Sequence, residues 1–339
     1  MSNNSTKILF LITLISGITI VISSNSWLSA WMGLEINLLS FIPIMSSHDN
    51  IYTSESSLKY FIIQALASVT LLFSIMLLMM TETLMQKYPS EVTTSVLLTP
   101  LLLKSGSAPL HWWFPSVMEG LSWQNCVILM TIQKISPLVL ISYLWNISVF
   151  SMSIIMMSIV IGSISGLNQT SIRKIMTYSS INHMGWMLAA MLLGENYWLM
   201  YLLIYSLMTT TIILIINPFQ ISLINQTFML DNKNPIMKFL LFTSLLSLGG
   251  LPPFTGFFPK WIIIQTMMDN QMFWLTLIMV VMSLITLYYY LQLSYSAFLL
   301  NHSKPSWNTW MMNKKMLPTI LFTASTMGLL LSTSISLLY

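Results

Sequence analysis

Charge is what this sequence has least of. Of 339 residues only 6% are charged, against roughly 25% in soluble domains. Apolar residues make up 55% and the mean hydropathy is +0.77. That excludes a soluble globular chain and leaves a polytopic membrane protein. Cysteine is nearly absent too: Cys126 stands alone, and one thiol closes no internal disulfide and holds no iron–sulfur cluster, which takes about four ligands. Cysteine usage therefore leaves the redox compartment open. No glycine-rich phosphate loop and no C-x-x-C pair occurs, so nothing is expected to hold a nucleotide or redox centre, and no metal or cofactor is expected on this chain. A net charge of +4 is too small to suggest nucleic-acid binding. The apolar run after Lys7 could pass for a signal peptide, but the spans that follow make a retained first helix the simpler reading.

At about 20 apolar residues per span, with Gly, Pro and polar clusters as breaks, about eleven spans are predicted. They fall near 6–24, 25–45, 56–81, 92–117, 121–146, 150–167, 172–194, 197–218, 236–268, 272–299 and 317–338, all within a single membrane domain, 1–339. Lys7, Lys59, Arg173, Lys174, Lys233, Lys238, Lys304, Lys314 and Lys315 gather on the side of the N-terminus, and only Lys87 on the other. The positive-inside bias places the N-terminus inside and Tyr339 outside. Trp198, Trp274, Trp307 and Trp310 lie near span ends, as interfacial anchors or as ordinary packing.

The stretch Leu97–Pro115, LLTPLLLKSGSAPLHWWFP, is where a continuous helix is expected to fail: Gly106 and Pro109 follow Lys104 directly. Non-helical backbone at membrane depth is tolerated only where it is buried in protein or lines a wet cavity. The break recurs. Pro253 and Phe258-Pro259 lie 144 positions after Pro109 and Phe114-Pro115, and Pro252 and Gly256 sit beside them. The same offset carries the first five spans onto the next five. Residues 6–146 and 150–299 thus read as two five-helix repeats, each with a broken helix, followed by a link and C-terminal helix over 300–339. Five is odd, so the copies are inverted, the organisation in which interrupted helices mark the site of ion-coupled transporters. The fold class expected is all-α.

Four ionisable residues fall within spans: Glu35 in AWMGLEINLL, Lys104, Lys134 in MTIQKISPLV, and Lys260 in GGLPPFTGFFPKWIII. Left unpaired they would cost on the order of 12 kcal/mol, so pairing, hydration or neutrality is required. A lysine beside a carboxylate can load or release a proton as the two move. The competing reading is structural ion pairs or lysines reaching to an interface. His111 and His183 also lie within spans and can relay protons, with hydrogen-bonded packing as the alternative; haem ligation lacks any supporting pattern. His48 and His302 fall in links. Glu119 reads either as a solvated acid or as a channel mouth. The Arg173-Lys174 pair suits topology and lipid headgroups, and Asp269 and Glu195 suit solvent.

The segments WMGLEINLLSFIPI, LLKSGSAPLHWWFP, MTIQKISPL, GLNQTSIRKIMTYSSINHMGWM and LSLGGLPPFTGFFPKW together resemble the antiporter-like membrane subunits of mitochondrial NADH:ubiquinone oxidoreductase, respiratory complex I, and among them the animal chain 2 family. The resemblance spans nearly the whole chain and extends to bacterial sodium/proton antiporter subunits. It implies a proton-pumping subunit in which Glu35 and Lys104 form the charged pair of a first half-channel, Lys134 is the central relay and Lys260 serves the second half-channel; His111 and His183 carry over less securely. It further implies the mitochondrial inner membrane, with the N-terminus in the matrix and the C-terminus in the intermembrane space. Bacterial relatives carry three further N-terminal helices, whose absence fits the shorter animal form. Electron transfer, with NADH, flavin, iron–sulfur clusters and ubiquinone, is expected in other subunits. The implied partners are neighbouring membrane subunits and phospholipids such as cardiolipin. A stand-alone cation/proton antiporter and a purely structural membrane subunit are the other readings of the same residues.

Overall fold

The hydrocarbon interior offers no partner to a free N–H or C=O, so a lipid-facing chain must satisfy its backbone internally. The structure, a computed structural model, describes residues 4–46, 50–85, 91–228 and 235–299. Within them the regular structure is helical, apart from an isolated bridge between Ser171 and Leu223. The expected last span, with Trp307, Trp310, His48, His302, Lys87, Lys233, Lys304, Lys314 and Lys315, lies outside the described residues.

The chain forms two compact units, Met1–Ile154 and Ile155–Tyr339. The first holds α1 (Asn4–Ser23), α2 (Trp27–Met45), α3 (Ile51–Met85), α4 (Glu91–Ser105), α5 (Trp113–Gly120), α6 (Trp123–Met130) and α7 (Ile132–Leu144). Helix α8 (Val149–Ile164) crosses the boundary. The second unit continues with α9 (Ile172–Leu193), α10 (Glu195–Ile216), the short α11 (Ile224–Phe228), α12 (Pro235–Gly249), α13 (Phe257–Asp269) and α14 (Phe273–Leu299). Among the described residues six helical segments are long and apolar enough to cross a membrane, and α8 and most of α12 are shorter apolar helices.

Helix α3 shows how such a sequence is sorted. Thr53, Ser57, Tyr60, Gln64, Ser68, Leu71 and Ile75 recur at helical spacing and are buried, whereas Ile62, Leu66, Val69, Phe73 and Met76 are exposed. The polar stripe faces protein and the apolar stripe faces out, the reverse of a surface helix in water. Small residues bring neighbours close: a Cβ on Gly17 of α1 would lie 3.1 Å from the Asn37 amide nitrogen and the Gly33 oxygen of α2, the close backbone approach typical of membrane helices. Ser26 caps α2 through a reciprocal bond with Ser29. The Trp31 indole donates to the Ser68 oxygen at 3.1 Å and the Asn125 amide to the Ile44 oxygen at 3.0 Å. Helix α2, which carries Glu35 and Asn37, is thereby fixed against α1, α3 and α6.

Two residues near span ends are placed here. Trp198 is buried in the second unit, the ordinary-packing alternative of the two given above, while Trp274 is exposed. Lys238, counted above with the charges on the N-terminal side and near the start of the span predicted over 236–268, is buried in α12. Its aliphatic stem suits an apolar surround.

Candidate functional site

In the first unit α4 ends at Ser105, and Gly106 takes φ = 74°, a left-handed turn that glycine adopts without a Cβ penalty. Its N–H donates to the Leu102 and Leu103 oxygens at 3.1 and 3.2 Å, and the Ser107 N–H to the Leu102 oxygen at 3.2 Å. The helix cannot resume at once because of Pro109, which follows a cis Ala108–Pro109 bond. It restarts as α5, opened by the Phe114 N–H bonding the His111 oxygen at 2.9 Å. Carbonyls at the interruption take side-chain donors: the Leu103 oxygen, already bonded by Gly106, also accepts from the Trp113 indole at 3.0 Å, and the Gln64 amide reaches the Lys104 oxygen at 3.5 Å. His111 lies in the interruption, half-buried, with Nδ1 3.2 Å from the Pro109 oxygen.

Lys104 therefore stands on the last turn before a break, and only 9% of it is exposed. Glu35 of α2 acts on it electrostatically, but no ion pair within 4.0 Å joins them. The Glu35 Oε2 atom is enclosed and makes no hydrogen bond. The pair anticipated from sequence is thus one of charged neighbours rather than of contact partners. Lys104 opens onto a cavity of about 20 Å³, enough for a water, which needs roughly 10–15 Å³. Lys134 lines the same cavity with Asn37, Tyr60, Gln64, Gln133 and Ser136.

Lys134 itself is 3% exposed and holds its ammonium 5.3 Å above the Phe114 ring, within reach of a cation–π attraction. A second interruption places it. The span predicted as continuous over 121–146 divides at Thr131, with φ = −113° and ψ = −71°. Its hydroxyl turns back onto the Val127 oxygen at 2.7 Å, the back-bonding that bends helices. Lys134 follows within one turn.

In the second unit the same backbone recurs. Gly250 takes φ = 91°. Its N–H donates to the Leu246 and Ser247 oxygens at 3.2 and 3.0 Å, and the Leu251 N–H to Leu246 at 3.4 Å. The Phe258 N–H bonds the Thr255 oxygen at 3.2 Å at the start of α13. Lys260, on the first turn after this break, is 5% exposed. It donates to the Gly249 oxygen at 2.9 Å and lies 5.8 Å over the Trp186 ring. Pro252 and Pro253 occupy the interruption, and Gly256 is forced by packing, since a Cβ there would collide with the Ser247 carbonyl. Met208 accepts hydroxyl contacts from Ser247 and Thr255, each at 3.4 Å. His183 is buried with Nδ1 2.7 Å from the Tyr201 hydroxyl and its ring 5.2 Å from that of Tyr205. A cavity of about 10 Å³ beside them is lined by His183, Tyr201, Tyr205, Met208, Gly256 and Pro259.

The structure thus gathers Lys104, Lys134 and the charge of Glu35 in the first unit, and in the second sets Lys260 over Trp186 of α9 while His183, one turn before Trp186, bonds Tyr201 of α10. Glu119, Glu195 and Asp269 are exposed, and Arg173 and Lys174 are half-buried on the first turn of α9. The sequence reading passed over the neutral polar set, Asn37, Tyr60, Gln64, Gln133 and Ser136. Amides within apolar spans, such as Asn37 and Gln133 each within two residues of a charged one, were the available signal.

A family model described as NADH:quinone oxidoreductase/Mrp antiporter, transmembrane, matches residues 24–286. The chain is 57% identical over 308 residues to an NADH-ubiquinone oxidoreductase chain 2 from Anopheles gambiae, covering 90% of this chain and 89% of the relative. It is 53% identical over 341 residues to that of Aedes aegypti, covering 99% and 98%. Among solved structures it is similar to a chain of respiratory complex I from Thermus thermophilus with bound aureothin, at a TM-score of 0.85 and 23% identity over 98% of this chain and 78% of that one.

Proposed function

We infer function from a settled premise: this chain belongs to the NADH:quinone oxidoreductase/Mrp antiporter family, and within it to the chain 2 subunits of NADH-ubiquinone oxidoreductase. It is a proton-translocating membrane subunit of respiratory complex I, whose redox chemistry proceeds in other subunits. The observation that carries this reading is Lys104, a buried lysine at a helix break that opens onto a water-sized cavity shared with Lys134, under the charge of Glu35. A proton on the Lys104 ammonium passes to water in that cavity and on to Lys134 when the carboxylate's influence weakens. The broken backbone lets that influence change without unfolding a span. Lys260 forms the corresponding station of the second unit, with His183 on a cavity shared with Pro259, and His111 near the entrance of the first.

Moving one charge against the membrane potential costs about 2.3 kcal/mol per 100 mV. NADH oxidation supplies this, with NADH, flavin, iron–sulfur clusters and ubiquinone held by partner subunits. Neighbouring antiporter-like chains and phospholipids such as cardiolipin complete the surroundings. Nucleic acid has no place in them. The positive-inside bias supports a matrix N-terminus and an intermembrane-space C-terminus in the mitochondrial inner membrane. The recurrence of helix bounds and break bonds 144 positions apart, α4 and α12, α5 and α13, supports two half-channels built from inverted repeats. Membership in an oxidoreductase subunit family leaves the stand-alone antiporter and the purely structural subunit as the less favoured readings.

The test is Glu35→Gln in assembled membranes. NADH-driven proton pumping falls severalfold with assembly intact if the carboxylate drives Lys104, whereas lost assembly with normal pumping in the surviving complex would reduce Glu35 to a structural part.

A further inference from the structure

The neutral side chains around the first cavity form an ordered run of bonds. The Tyr60 hydroxyl donates to Gln133 Oε1 at 3.5 Å, Gln133 Nε2 donates to Asn37 Oδ1 at 2.9 Å, and Asn37 Nδ2 donates to Ser136 Oγ at 3.3 Å. Every bond points the same way, from α3 to α7 to α2 and back to α7. Its centre is Gln133, the residue before Lys134. That turn of α7 needs holding: it follows the Thr131 interruption, and the Lys134 N–H is served by the Thr131 oxygen three residues back, at 3.3 Å, a weaker geometry than the α-helical bond.

We propose that Gln133 is a positioning residue for proton transfer between Lys104 and Lys134, an inference that rests on the proton-translocation reading above. A neutral amide donates and accepts but does not pass a proton onward, so the run is a brace and not a conductor. Its members nevertheless line the cavity that both lysines line, and the transferred proton travels on the water that this cavity admits. The brace ties Lys134 to α2 two residues from Glu35, so it fixes the lysine relative to the carboxylate as well as to the water. Buried amides are tolerated only when bonded, and a satisfied network rigidifies what it joins. Placed one residue from the relay lysine, that rigidity sets the donor–acceptor distance, on which transfer depends steeply.

The experiment uses the assembled complex in native membranes, comparing Gln133→Met, which keeps the volume and loses both bonds, with Gln133→Glu, which keeps the shape and adds an ionisable group facing Tyr60, Lys104 and Lys134. Lys134→Ala runs alongside. Protons pumped per NADH, turnover and their pH profiles are read. Gln133→Met is expected to assemble and to lose pumping about fivefold or more, and Gln133→Glu to displace the pH profile. Wild-type pumping and an unmoved pH profile in both Gln133 variants, with Lys134→Ala impaired, would overturn the inference. So would failure of both to assemble, which would make Gln133 a folding residue. If Lys134→Ala is silent as well, the translocation reading itself fails and the inference falls with it.

Discussion

The two helix breaks share a backbone and differ in what they do with it. Gly106 and Gly250 adopt the same left-handed turn with the same pattern of bonds, and α5 and α13 restart at corresponding positions. The lysines do not correspond. Lys104 precedes its break and leaves the capping to the Trp113 indole and the Gln64 amide, whereas Lys260 follows its break and caps the Gly249 oxygen itself. Consequently Lys104 is free to face a cavity of about 20 Å³ rimmed by amides and hydroxyls, while the second cavity, about 10 Å³, is largely aromatic and apolar. The first unit sets its lysine beside a water-sized polar cavity, and the second holds its lysine on a carbonyl of its own break. The teaching is that a duplicated backbone fixes where helices fail, and the side chains that satisfy the failed carbonyls decide how each buried lysine is held.

That contrast can be broken most forcefully at Gly256. Its Cβ would strike the Ser247 carbonyl, so Gly256→Ala is expected to destabilise by about 3 kcal/mol or more, read as loss of assembled complex. The position 144 residues earlier is Trp112, 73% exposed, and Trp112→Ala should stay within about 0.5 kcal/mol in the same assay. Next in size is Lys260→Leu, which leaves the Gly249 oxygen buried without its donor, a loss of about 1–3 kcal/mol measurable as a lower inactivation temperature of the solubilised complex. In the first unit Trp113→Phe removes the indole donor to Leu103, which keeps the Gly106 N–H, together with part of a buried ring, and is expected to cost about 1 kcal/mol. Smallest is Tyr201→Phe, which deprives His183 of one neutral bond and should shift thermal inactivation by about 1 kcal/mol or less. Equal effects of Lys260→Leu and Lys104→Leu on stability would erase the distinction between a capping and an uncommitted lysine.

Much of this was legible beforehand. The apolar runs gave the helices because length and hydropathy decide what spans a bilayer, and the Pro109–Pro253 and Pro115–Pro259 spacings revealed both breaks because proline has no N–H to continue a helix. The interruption at Thr131 was not legible: no Gly or Pro stands there, and a threonine bends a helix only when its hydroxyl turns back on the preceding turn, a choice of rotamer. Pro137, which frees the Gln133 carbonyl, was the nearest sequence trace of it. Glu35, Lys104, Lys134 and Lys260 stood out because charges within spans are rare. How the three lysines are held depends on which carbonyl or cavity each ammonium can reach, and the burial of Trp198 and Lys238 was not legible because burial at a span end depends on neighbours that hydropathy does not see.

The most direct measurement is NADH-driven proton pumping, alongside NADH:quinone turnover, in assembled membranes carrying Lys104→Ala. The account predicts that the complex assembles and that protons pumped per NADH and coupled turnover both fall steeply, at least tenfold for a lost transfer station. Unchanged pumping and turnover in an assembled Lys104→Ala complex would contradict it.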